Sequence, residues 1–139
     1  MAAYRGRSTR SLDAMLSYGA NGQEPDFEVS YRFLSAAEGG RTLPPTQHMR
    51  CGWLYSGDDA TTDGGWMIFP EFVDSNGGPR PNGPVPLKGI ALMYILDQKL
   101  RPAHAQRIHE GVAGFMIEGN RHVAECLVTR VVRLSASGI

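Results

Sequence analysis

Two short segments of the 139-residue sequence place an arginine at the end of a glycine turn: Glu38-Gly39-Gly40-Arg41 and Glu118-Gly119-Asn120-Arg121. A guanidinium keeps its charge and presents a planar fork of N–H donors, which suits carboxylate and phosphate alike. Arg41 and Arg121 therefore have two readings. Each pairs with a nearby carboxylate or carbonyl and fixes its own turn, or both belong to a surface that meets a partner. Arg41, His48 and Arg50 together make a small basic surface at one end of the fold, and His122 stands beside Arg121. Arg5, Arg7 and Arg10 can extend that surface. Such a patch fits an RNA backbone, with affinity that falls as salt rises. The alternative is a scattered, solvated set of charges balanced by acids.

Other chemistries find less support. Ser35, Cys51 and four histidines are present, but no nucleophile elbow or Cys-His signature surrounds them. His104 and His109 are five positions apart and do not share a helix face as an i, i+4 zinc pair does. Cys51 and Cys126 form no Cys-x-x-Cys pair. Asp58, Asp59 and Asp63 lack the spacing and final bidentate glutamate of a calcium loop, and read as a polar hairpin tip. No GxxxxGK phosphate loop is present. The expectation is a chain with no catalytic residue, no cofactor, no metal and no nucleotide. An enzyme with its substrate under the loop of residues 74–89 is kept as a further alternative.

The totals narrow the partners. Lys and Arg number 14 and Asp and Glu number 14, so no global field draws in nucleic acid or anionic membrane. No apolar run approaches the roughly 20 residues of a membrane helix. The N-terminal arginines have no apolar stretch behind them, unlike a secretory signal. The expected location is the cytoplasm, with Cys51 and Cys126 as buried thiols.

Six elements must position these residues, and all read as strands. Residues 27–35 alternate, with Phe27, Val29, Tyr31 and Phe33 on one face and Glu28, Ser30 and Arg32 on the other. Further strands are expected over residues 48–55, 66–73, 90–96, 111–117 and 122–134. Pro70 marks the third as an edge or bulged strand. In the last, Ala124, Cys126, Val128, Val132 and Leu134 would pack inward with Arg130 among them. The Gly- and Pro-dense residues 74–89 read as a surface loop, and residues 97–110 as a connection broken by Pro102. Residues 1–26 are an extension, either a tail or a short helix capped by Ser11 and ended by Gly19. Residues 27–134 form the domain and residues 135–139 a tail. Short links make most pairs antiparallel, which gives an all-β fold of six strands, a barrel or a sandwich.

Taken together, these residues resemble the third, C-terminal domain of elongation factor Tu. Residues 27–41 (FEVSYRFLSAAEGGR) are similar to that family's opening strand and its Leu-Ser-x-x-Glu-Gly-Gly-Arg turn, with Pro44 or Pro45 as the proline that follows. Arg50 and Tyr55 sit in a segment comparable to Arg-Pro-x-Phe-Tyr-Phe, with Cys51 in place of the proline. Residues 115–131 resemble the family's second glycine turn and last strand, with Asn120 where the second glycine would be. The likeness spans about residues 27–134 and departs in the middle, at residues 74–89 and 97–110. It implies an all-β, six-stranded antiparallel, Greek-key-like barrel that packs on a neighbouring barrel, contacts a GTPase domain and touches the backbone of aminoacyl-tRNA. Without a phosphate loop before the barrel, GTP hydrolysis is not expected of this chain. The implied function is a non-catalytic module that binds a protein partner, or another copy of itself through the edge at residues 66–73. RNA binding is the alternative.

Overall fold

Alternation of apolar residues in the first strand sets the architecture. In β1 (Phe27–Phe33), Phe27, Val29, Tyr31 and Phe33 are buried while the intervening residues reach the surface. A computed structural model describes residues 23–134. The proposed N-terminal helix, Arg5, Arg7, Arg10 and the C-terminal tail lie outside the described residues. Five more strands follow: β2 (Gly52–Tyr55), β3 (Ile68–Val73), β4 (Lys88–Ile95), β5 (Ala113–Glu118) and β6 (Arg121–Val131). They form one sheet in the order β2-β5-β6-β1-β4-β3, and every neighbouring pair is antiparallel. The sheet curls until its two ends meet at Trp53 and Trp66, whose backbones exchange hydrogen bonds of 3.0 and 2.9 Å. The fold is therefore all-β and barrel-like, with one continuous core inside the curl.

Four local readings change. Residues 48–51 do not join β2, and Lys88 and Gly89 belong to β4 rather than to the preceding loop. Pro102 does not break the 97–110 connection; it sits in the first turn of a short helix, α1 (Arg101–Ala105), where its missing N–H would have no partner anyway. Arg130 is not among the inward residues of β6. Val29 faces Val128 and Glu28 faces Arg130, so Thr129 is an extra residue in a bulge. The bulge flips the alternation and turns Arg130 out to Glu28 at 3.2 Å, while Val131 packs on the core.

The β3 edge is sealed by side chain and loop. On the side away from β4, Trp66 N–H donates to Trp53 and Ile68 N–H to the Trp66 carbonyl. Pro70 has no N–H to offer. The Gln47 amide takes the Phe72 N–H at 2.8 Å and donates back to the Phe72 carbonyl at 2.8 Å. The outward N–H groups of residues 68, 72 and 74 thus each have a partner within the described residues.

A lid formed by α1 and its flanks closes one end of the curl. Asp26 is fully buried, and its carboxylate accepts from Ile95 N–H at 2.7 Å and from Arg101 Nε at 3.1 Å. His104 is buried and shares a 2.6 Å hydrogen bond with the Tyr55 hydroxyl, with the Trp66 ring edge-on at 5.0 Å. Arg107 lies 3.8 Å over the Tyr55 ring and grips Asp58 with two hydrogen bonds of 3.0 and 3.3 Å. Burial, and then the Arg107 charge, hold the His104 pKa below its ordinary 6.5, while Asp26 pulls the other way.

Two outcomes follow from the lid. Asp26→Ala leaves the largely buried Arg101 guanidinium without its carboxylate, and urea unfolding should show a loss of about 3 kcal/mol. The neutral His104 imidazole stabilises the fold fully above its unfolded pKa. As pH falls below 6.5, the unfolded chain takes up that proton before the folded one does. Urea midpoints should therefore drop across this range, and His104→Asn should remove that part of the slope; an unchanged slope would refute the assignment.

Candidate partner-binding groove

The first glycine turn is built from local hydrogen bonds. Ser35 Oγ accepts from Glu38 N–H at 3.2 Å, and the Glu38 carboxylate accepts from Ser35 N–H at 2.8 Å. This reciprocal box closes the 3₁₀ turn Ala36–Glu38. Gly39 ends the turn with φ +91°, which a side chain would strain. Gly40 has a different reason to be glycine. A Cβ there would lie 2.3 Å from the Leu34 carbonyl oxygen, so the turn lies flat on the end of β1. Arg32 clamps Glu38 from the strand side at 3.0 and 3.2 Å and reaches Glu125 at 2.9 Å. The Arg32 guanidinium, and then the Ser35 N–H, hold the Glu38 pKa at about 2.

Arg41 leaves this turn and meets the other one. Its Nη1 donates to Glu118 Oε2 at 2.9 Å and its Nε to the Leu43 carbonyl at 3.1 Å. Two segments 77 positions apart are thus tied by one ion pair. At the second turn, Glu118 pairs with Arg121 across a two-residue hairpin. Gly119 has φ +61° and no other turn residue there has positive φ, so asparagine serves at position 120.

Between the end of β1, the first turn and the start of β4 lies an open groove of about 560 Å³. Its walls are mainly apolar: Phe33, Leu34, Leu43, Pro44, Pro45 and Leu87. The Phe33 N–H donates to the Leu87 carbonyl at 2.7 Å, which fixes one wall against the other. Leu43 and Leu87 are 68% and 63% exposed, two of the most exposed large apolar side chains described. The rim carries Arg32, Arg41 and Lys88. Carboxylates hold both arginines, whereas exposed Lys88 has no carboxylate partner among the described residues.

Of the five residues singled out in the sequence, only Arg41 lines this groove. Arg121 is exposed on the hairpin that Arg41 reaches through Glu118. His122 stacks on Phe115 with ring centres 4.2 Å apart. Arg50 lies 5.4 Å over the Phe69 ring. His48 has φ +67° and hydrogen-bonds Asn82 at 2.7 Å, which ties residues 46–48 to the 74–89 loop. Sequence reasoning missed Arg32, Leu43, Leu87 and Lys88. Leucines beside prolines in otherwise polar connections were the available signal.

Cys51 and Cys126 are buried free thiols, and burial pushes Cys51 up to about 12 and Cys126 higher still. No group of three or more potential metal ligands occurs among the described residues. Nor is any described helix long and apolar enough to cross a membrane.

The two glycines of the first turn should respond differently to alanine. Gly39→Ala strains only the backbone and should lower stability by about 1 kcal/mol. Gly40→Ala must push the turn off Leu34 and should lower it by about 3 kcal/mol. Equal urea midpoints for the two variants would contradict this division.

No protein-family model matches the chain, and no curated protein matches it.

Proposed function

We propose that this chain is a non-catalytic binding module, similar to the third domain of elongation factor Tu, and that it docks a protein partner in the groove between Leu43 and Leu87. The observation that carries the reading is the exposure of those two leucines on the walls of one groove. Apolar side chains gathered on the walls of one cleft are the kind of surface a partner covers. Two side chains there that could serve as nucleophile or base are engaged in structure. Ser35 Oγ caps its turn, and Glu38 is clamped by Arg32.

The likeness to the elongation factor draws support from the turn residues. Ser35, Glu38, Gly39, Gly40 and Arg41 each have a distinct structural role, so the motif reads as a folding unit placed beside a docking surface. The six-stranded antiparallel order is compatible with that barrel. The two unpaired buried cysteines fit a reducing cytoplasm.

Electrostatics favour a protein over RNA. Over the whole chain 14 Lys and Arg face 14 Asp and Glu, so no net positive field draws in a polyanion. Arg32, Arg41, Arg101, Arg107 and Arg130 are bound to carboxylates. A polyanion would have to displace those carboxylates or use few contacts, and backbone binding gains its strength from many.

The test compares the full chain with a Leu43→Asp, Leu87→Asp double variant. Both side chains are exposed, so the variant should keep its urea midpoint. Affinity capture from lysate should return a stoichiometric protein with the parent chain and not with the variant, and bulk tRNA should give no gel shift at low salt. Equal capture by the variant would end the groove reading. A tRNA shift would move the assignment to RNA.

A further inference from the structure

Resting on the groove reading above, we infer that the docked partner is a short, largely apolar protein segment carrying a single carboxylate, which pairs with Lys88 while its apolar side chains lie on Leu43 and Leu87.

The charge pattern of the rim leads there. Arg32 meets Glu38 and Glu125, both within 3.0 Å, and Arg41 meets Glu118 at 2.9 Å. These contacts satisfy the guanidinium donors that face carboxylates, so an incoming anion gains little from either arginine. Lys88 stands opposite Arg32 in the β1–β4 register, is exposed, and has no ion-pair partner among the described residues. It is the rim cation whose charge is left for a ligand.

The pairing of individual groups sets the number of charges: Arg32 holds two carboxylates, Arg41 one and Lys88 none among the described residues. Arg32, Arg41 and Lys88 are matched in count by Glu38, Glu118 and Glu125. A neutral rim does not steer a polyanion, whether nucleic acid or a strongly acidic tail. It accepts one carboxylate at one place and otherwise favours apolar burial. The wall composition agrees. Two proline rings and two exposed leucines offer area without donors, the capped Ser35 adds no free hydroxyl donor, and Thr42 is left as the hydroxyl of the lining. Affinity then comes from the leucines, and Lys88 sets which segment is chosen and in which direction it lies.

The probe is a random-peptide phage library panned on the full chain, on Lys88→Glu and on the Leu43→Asp, Leu87→Asp variant. The parent chain should enrich a motif of apolar residues with one Asp or Glu. Lys88→Glu should enrich Lys or Arg at that position instead. A synthetic peptide of the parent motif should bind Lys88→Glu about fivefold more weakly at low salt, with a smaller difference at high salt. It should not bind the double variant measurably. A motif without an acidic residue that is still lost in the double variant would overturn this inference and leave the groove standing. Peptides that ignore the double variant, or no enrichment at all, would overturn both.

Discussion

Asp26 is the point on which the rest of the fold hangs. Its N–H donates to the Met93 carbonyl, and its own carbonyl accepts from Val132 and Leu134 N–H. Its carboxylate holds Ile95 and Arg101. One buried residue thus joins the end of β4, the end of β6 and the lid helix at the mouth of β1. A carboxylate without these donors would be expelled to water. With them it fixes where β1 begins, and through its pairing with β4 and β6, where β1 ends.

The far end of β1 is where the groove forms. Arg32, Phe33, Leu34 and Ser35 are successive residues with four different roles. They supply in turn an ion clamp, a wall, a floor under Gly40, and a cap. The groove is therefore a by-product of how the first strand stops. Apart from Phe33 its apolar walls come from connections rather than strands, and they stay put because Phe33 bonds Leu87 and Arg41 bonds Glu118. The two ends of the curled sheet have contrasting characters. The lid end is closed by buried polar pairs, and the groove end is open and apolar.

The strands were legible because burial on one face imposes a period of two, and that period is visible in residues such as Phe27, Val29, Tyr31 and Phe33. It failed where one residue was added. Thr129 shifts the phase of β6, and nothing in the local sequence marks the shift; only the partner strand does, by placing Glu28 against Arg130. Pro102 was misread for a related reason. Proline forbids a helix interior but favours a helix start, and which applies depends on neighbours that sequence leaves open. The glycine turns were recognised, but not that Arg41 of one reaches Glu118 of the other, because ion pairs between distant segments leave no periodic trace. Of the groove, only Arg41 was anticipated. Lys88 was assigned to a loop because a Gly- and Pro-rich run hid the start of β4.

The sealing of β3 by Gln47 has a chemical corollary. A primary amide can imitate a peptide group because it offers one acceptor and two donors, and here it uses them on the Phe72 N–H and on the carbonyls of Phe72 and Arg80. Hydrolysis of that amide to a carboxylate would keep the acceptor and abolish both donors. Two carbonyl oxygens would then confront an anion in a dry place, and the flap that Gln47 fastens would peel away. A single side-chain nitrogen thus holds two carbonyls of separate segments, Phe72 on β3 and Arg80 on the loop, and its loss would part the two.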